Sequence, residues 1–322
     1  MNNKILLVVT FFVCLGLMLL IMPRYITMLK NHNINQNVSE YALEEYKKKA
    51  KTPIMGGLLF VVIPVVVFIV CAIIFGISKP TVMVLVSYIL FCGVGFADDY
   101  TIIIKGNNDG LSPTFKLCLE FLFVIMLHIV FKDVIPSGIN IPIINKFVEI
   151  NPVVFLIFMI LLYGFEANAV NFTDGMDGLC AGVSFISLIA YVVISYVNGY
   201  YEIALLLMGI MGALIGYIFF NFHPAKIFMG DSGSLALGAL FAAISIIEGN
   251  ELLLIIIGGV FVAEMMCVCI QQLSVRLFHK RVFSYTPIHY AFVLKGHKEM
   301  YVVINFYLVQ TFLTIVSLII AL

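Results

Sequence analysis

The chain has 322 residues, of which 62% are hydrophobic and 11% charged, with a mean hydropathy of +1.11. Too few polar side chains remain to cover a soluble surface, which excludes a soluble globular class and points to an all-α integral membrane protein. A net charge of +0 offers no basic surplus for nucleic acid, and the 7 cysteines lie in apolar runs without metal-type spacing, so neither a disulfide nor a zinc site is expected.

A helix needs about 20 apolar residues to cross a bilayer core. Ten such runs are predicted, near 5–22, 54–76, 82–97, 114–131, 152–167, 178–197, 202–220, 233–247, 251–277 and 300–320. The first follows Lys4 and ends at Met22-Pro23-Arg24 with no small-residue cleavage site, so it reads as a retained anchor. Residues 24–53 are polar, and Glu40 to Lys51 suits a short helix with Glu44–Lys48 and Glu45–Lys49 pairs. The third, fifth and eighth runs are short, and the ninth is long enough to tilt or break. Between the fourth and fifth, Pro136, Gly138 and Pro142 with the β-prone stretches Ile139–Ile141 and Ile143-Ile144 suggest a small outer hairpin or an irregular loop. No internal repeat or low-complexity tract interrupts the chain, so a single membrane domain over 1–322 is expected.

Basic residues are depleted on the side of a membrane that must be translocated. With both termini outside, the outer connections hold only Lys4, Lys79, Lys132 and Lys146, while every other Lys and Arg falls inside. The third, fifth, seventh and ninth helices then run inward. Four segments emerge at one cytoplasmic surface.

Each of those segments carries chemistry. Asp98-Asp99 closes the third run, and adjacent carboxylates repel unless a cation neutralises them. Mg²⁺ suits them, because it takes oxygen ligands and bridges carboxylates to substrate phosphates. A charge near hydrocarbon costs roughly 2.5 to 3.5 kcal/mol, so a gathering of acids reads better as a site than as decoration, although a pair of solvated interfacial acids fits this one motif about as well. Residues 168–178 (Asn-Ala-Val-Asn-Phe-Thr-Asp-Gly-Met-Asp-Gly) form a polar recognition loop, in which Gly175 and Gly178 let backbone approach a ligand and Asn171, Asp174 and Asp177 reach hydroxyls, a base edge or a metal. A helix cap explains one of these groups but not four. In Asn221 to Ser234, Gly230-Asp231-Ser232-Gly233 stands before the eighth helix, where backbone N–H groups attract phosphate and Asp231 suits a metal. The loop 276–299 adds His279, Lys280, Arg281, His289, Lys295 and His297, a mix suited to a phosphorylated ligand or to plain positive-inside anchoring.

Together, Asp98-Asp99-Tyr100, Asn171-Phe172-Thr173-Asp174-Gly175-Met176-Asp177-Gly178 and Phe228-Met229-Gly230-Asp231-Ser232-Gly233-Ser234 resemble the polyprenyl-phosphate N-acetylhexosamine-1-phosphate transferases. Lys49-Ala50-Lys51-Thr52-Pro53-Ile54-Met55-Gly56-Gly57, Thr286-Pro287-Ile288-His289 and Phe292-Val293-Leu294-Lys295-Gly296 resemble the phospho-N-acetylmuramoyl-pentapeptide transferase branch. The similarity runs in order from about residue 47 to 300. It implies a ten-helix, often homodimeric enzyme of the bacterial plasma membrane, in peptidoglycan precursor synthesis. Such an enzyme moves phospho-N-acetylmuramoyl-pentapeptide from UDP-MurNAc-pentapeptide to undecaprenyl phosphate, with Mg²⁺ as cofactor, releasing UMP and leaving lipid I.

Carried over by position, the resemblance implies a catalytic set of Asp98, Asp99, Asp231 and His289, with Asp231 and Asp99 at the metal and Asp98 as base. Lys116, Asn171, Asp174 and Asn221 match polar or phosphate-binding positions, and Lys49, Asp177 and Phe228 match the nucleotide pocket. Direct attack by the lipid phosphate and a covalent phospho-aspartyl step at Asp98 both fit. The family pattern has three successive histidines where this chain reads His289-Tyr290-Ala291, and Lys51 and Ile54 replace the usual Gly and Thr. A paralogue that uses another UDP-N-acetylhexosamine therefore stays open. So do a silent receptor that keeps the nucleotide site and a cation-coupled transporter using Glu120, His128 and Glu264, although transporter sites lie near the midplane between repeated halves.

Overall fold

The computed structural model describes residues 3–32, 34–35, 52–106, 109–144 and 146–322; the short helix expected over Glu40–Lys51, and Lys49 within it, lie outside them. Among the described residues ten helices are long and apolar enough to cross a membrane. In chain order they are α1 (Asn3–Asn31), α2 (Gly56–Phe75), α3 (Lys79–Lys105), α4 (Pro113–Val130), α5 (Pro152–Thr173), α6 (Leu179–Val197), α7 (Tyr201–Asn221), α8 (Asp231–Glu248), α10 (Gly259–Phe278) and α12 (Glu299–Ala321), with short helices α9 (Leu254–Ile257) before α10 and α11 (Ile288–Leu294) before α12.

Helix α8 is the hub, packed against α2, α3 and α5 and buried on all sides from Ser232 to Ile247. Its sequence, Asp-Ser-Gly-Ser-Leu-Ala-Leu-Gly-Ala-Leu-Phe-Ala-Ala, explains why: small residues let neighbouring backbones close in, which is how helices associate where lipid supplies no hydrophobic drive. A Cβ on Gly95 of α3 would stand 2.1 Å from the Asp231 carbonyl oxygen, and one on Gly57 of α2 would stand 2.4 Å from Gly233 Cα. The segment before α8 is tied to α2 by Gly56 N–H to Phe228 O at 2.8 Å and Gly57 N–H to Met229 O at 2.8 Å. Hence α2, α3 and α8 meet where Asp231 begins its helix.

Two helices outlast their apolar runs. Asp98 and Asp99 fall within α3, which continues to Lys105 and is capped by Gly106 in the left-handed region at φ 64. Asn168 and Asn171 belong to the last turns of α5 and not to a loop. A count of apolar residues stops at the first charge, whereas the backbone hydrogen-bond ladder does not. The ninth run, long enough to tilt or break, breaks at Gly258 between α9 and α10. The opened backbone is repaired from outside: Gln310 Nε2 donates to Ile257 O at 2.6 Å, Ser187 Oγ donates to the same carbonyl at 2.8 Å, and Val260 N–H donates to Gln310 Oε1 at 3.2 Å.

At the opposite end lies the hairpin of β1 (Gly138–Ile141) and β2 (Lys146–Glu149), antiparallel with Ile139 opposite Val148. Ile143 and Ile144, read as strand, sit in a 3₁₀ turn instead. Pro142 fixes φ, lacks an N–H for the ladder and starts the turn.

Candidate active site

Asp99 is 3% exposed and holds the first turn of α8: Oδ1 accepts from Asp231 N–H at 2.9 Å, and Oδ2 accepts from Ser232 N–H at 3.0 Å. A carboxylate against a helix N-terminus is favoured by the dipole and by otherwise unpaired donors. Gly230, at φ 75, makes this approach feasible, since a Cβ there would lie 2.6 Å from Asp99 Oδ2. The preceding residue, Asp98, accepts through Oδ1 from Leu111 N–H at 2.9 Å, from the segment leading into α4.

Asp231 is the junction. Its Oδ2 pairs with Lys116 Nζ from α4, and its Oδ1 accepts from Asn171 Nδ2 of α5 at 2.7 Å. Asn171 also donates to Ser234 Oγ at 2.9 Å. Four helices thus supply three carboxylates, one ammonium and one amide around one point.

The loop between α5 and α6 lies beside it. Burial, with the negative charges of Asp231, Asp99 and Asp177 added, pushes the Asp174 carboxyl up to about 8, only partly offset by the Gly230 backbone. Asp177 Oδ2 accepts from His223 Nδ1 at 3.0 Å and Ala225 N–H at 3.1 Å, while its N–H donates to Glu299 Oε1 at 2.9 Å. Asn221 holds two segments together: Oδ1 accepts from Gly178 N–H at 2.9 Å, and Nδ2 donates to Ile227 O at 2.9 Å. Phe228 is half-buried, and its N–H donates to Pro53 O at 2.8 Å.

The segment from α10 to α12 closes the other flank. Glu264 of α10 accepts from Ile288 N–H at 2.7 Å and His289 N–H at 3.2 Å, and faces His289 Nδ1 at 3.1 Å. A carboxylate accepts, so Nδ1 is the nitrogen that donates in this pair. Buried Nε2 has no hydrogen-bond partner among the described residues and lies against Gly175, where a Cβ would come within 2.3 Å of it. Tyr290, which stands where the family pattern has a second histidine, donates its hydroxyl to Gly175 O at 2.9 Å. Burial raises that hydroxyl above the usual tyrosine range.

The structure therefore brings Asp98, Asp99, Asp231, Lys116, Asn171, Asp174, Asp177, Asn221, Phe228 and His289 to one end of the bundle. Glu120 and Glu264, read as acids inside helices, have local partners: Asn168 Nδ2 faces Glu120 Oε2 at 3.4 Å, and Glu264 orients His289. Sequence reasoning gave no role to His223, Glu299 or Tyr307, whose hydroxyl donates to Gly178 O at 2.6 Å. No local signal marks them, because a loop histidine, a first-turn glutamate and a helical tyrosine are each ordinary.

Charge and geometry suit a hard dication: three carboxylates supply oxygen donors, and Asp231 Oδ2 already takes a cation in Lys116. The family model for Glycosyl transferase family 4 matches residues 81–249, from α3 to the end of α8. Over 294 residues the chain is 38% identical to a phospho-N-acetylmuramoyl-pentapeptide-transferase of Staphylococcus saprophyticus, covering 90% of this chain and 91% of that protein. A protein of the same name from Campylobacter jejuni is 36% identical over 329 residues, covering 96% and 92%. One from Staphylococcus carnosus is 36% identical over 296 residues, covering 90% and 92%.

Proposed function

Because the chain belongs to the phospho-N-acetylmuramoyl-pentapeptide-transferase family of the glycosyl transferase family 4, we propose that it makes lipid I from UDP-MurNAc-pentapeptide and undecaprenyl phosphate, releasing UMP. It is a multi-pass bacterial membrane protein and a glycosyl-1-phosphate transferase of peptidoglycan precursor synthesis. One observation carries the site assignment: Asp98, Asp99, Asp231 and Lys116 meet although they come from three helices.

An oxygen of the lipid phosphate attacks the phosphorus that bears the sugar, and the bond from that phosphorus to the bridging oxygen breaks, so UMP leaves with the electron pair. Asp98, positioned by Leu111 N–H, takes the proton that the lipid phosphate still carries. Lys116 places an ammonium beside the reacting phosphates, and Asn171 fixes the Asp231 carboxylate that it pairs with. Asp231 would be the principal Mg²⁺ ligand, and Asp99, whose oxygens each keep a second lone pair, would support it. An Mg²⁺ held by these residues would supply charge neutralisation for the diphosphate.

Asp174, Asp177, Asn221, Phe228 and Lys49 form the donor-binding side, with His289 Nε2 facing the same loop. The reading places this end of the bundle at the cytoplasmic face, where the nucleotide arrives, while the lipid substrate enters from the bilayer. It includes a homodimer.

The test is UMP release by purified protein with Mg²⁺, undecaprenyl phosphate and a panel of UDP-amino sugars. UMP should appear with UDP-MurNAc-pentapeptide and vanish in Asp231→Ala, with melting behaviour retained. Turnover only with another UDP-N-acetylhexosamine would overturn the donor assignment, and no UMP with any donor would overturn the reaction.

A further inference from the structure

We propose that Asp177, His223 and Glu299 form a second metal site, distinct from the Asp231 centre, that takes a transition-metal dication of the zinc class. The three residues come from the loop before α6, the loop after α7 and the first position of α12, and their donor atoms all lie within 4.8 Å of one another. His223 Nδ1 is 3.0 Å from Asp177 Oδ2 and 3.8 Å from Glu299 Oε2. Tetrahedral bonds of about 2.0 to 2.1 Å put neighbouring donors roughly 3.4 Å apart, so the two distances bracket the spacing that such an ion needs.

Donor chemistry selects the ion. An imidazole with two carboxylates suits zinc, cobalt or manganese, whereas Mg²⁺ prefers an all-oxygen shell. Two carboxylates and a neutral imidazole carry a charge that one dication cancels. The His223 side chain is 41% exposed, which provides access, and three protein donors leave a fourth position for water. Outer contacts are already in place: Ala225 N–H holds Asp177 Oδ2 at 3.1 Å, and Asp177 N–H holds the other Glu299 oxygen at 2.9 Å.

When occupied, the site ties the Asp174–Gly178 loop to the start of α12, beside the acid cluster but without sharing a ligand with it. Asp177 also carries a proposed nucleotide contact, so the test reads metal and not turnover. Full-length protein in detergent, with Mg²⁺ in large excess, is titrated with Co²⁺ and followed by visible d–d absorption. One equivalent should bind with the intense band of a low-coordinate cobalt site, and Zn²⁺ should displace it. His223→Asn and Glu299→Gln should each weaken binding at least about tenfold, and Asp231→Asn should leave it unchanged, with thermal melting confirming that each variant is folded. No saturable Co²⁺ binding by the unmodified protein would overturn the proposal. So would binding that survives His223→Asn or is lost in Asp231→Asn.

Discussion

Replacing Asp99 by Asn tests whether this buried carboxylate seats the first turn of α8. The side chain is 3% exposed, and each oxygen accepts one backbone N–H, from Asp231 at 2.9 Å and Ser232 at 3.0 Å. Asn keeps one acceptor and turns an NH₂ toward the second N–H, so one charge-assisted bond is lost and a buried donor faces a donor. Hydrogen bonds to charged groups contribute about 1.5 to 3 kcal/mol, and with the unpaired donor the total is roughly 2 to 4 kcal/mol. If that energy is drawn from the placement of Asp231, turnover falls roughly thirtyfold to a thousandfold at about 1.4 kcal/mol per decade. Asp99→Glu should fail as well, because Gly230 packs too closely for another methylene. The assay is UMP release at saturating donor across a Mg²⁺ series. Loss that excess Mg²⁺ does not restore marks a positioning role; loss that it restores marks direct ligation. Asp99→Asn within threefold of the unmodified rate, at either Mg²⁺ level, would refute the reasoning.

Two glycines on one helix give an internal control. Gly95→Ala drives a Cβ to 2.1 Å from the Asp231 carbonyl oxygen and should abolish UMP release or folding, whereas Gly93→Ala meets nothing within 4 Å and should leave both intact, with melting unchanged or slightly raised. On the opposite end, Glu251 is buried with no side-chain partner for its carboxylate among the described residues, and burial, opposed only by its own backbone, raises its carboxyl from 4.5 to about 8. The folded state therefore holds this proton more tightly than the unfolded state; the stabilisation is complete below about pH 4.5 and is lost as pH rises through about 8. Glu251→Gln should flatten the fall in melting temperature between pH 6 and 9 and raise stability at the alkaline end by a few kcal/mol at most, at about 1.4 per pH unit. An unchanged pH slope would show that Glu251 is hydrated in the folded protein.

Much of the architecture was legible because hydrocarbon imposes a one-dimensional rule: apolar stretches of the right length become helices. That rule found ten spans and marked the ninth as long enough to tilt or break; it breaks. It misplaced the C-terminal ends of α3 and α5, because helical hydrogen bonds continue past the first polar residue when neighbouring helices shelter it. It also mistook Ile143-Ile144 for strand, where Pro142 starts a turn. At the candidate site, Asp98-Asp99, Asp174, Asp177 and Asp231 stood out because acids beside apolar runs are costly. His223, Glu299 and Tyr307 did not, because each is unremarkable among its sequence neighbours.

By itself the sequence determined the membrane class, the number of crossings, the acids and the family motifs, since composition and local spacing fix these without reference to distant residues. Only the tertiary structure decided which atom meets which: that Asp99 holds the α8 backbone, that Lys116 and Asn171 share the two oxygens of Asp231, and that Glu264 sets the proton on His289. Those pairings depend on close approach across helices, which glycines at 57, 95 and 230 permit through the absence of a Cβ. Steric room of that kind is a property of two packed surfaces, and one strand of letters does not contain the second surface.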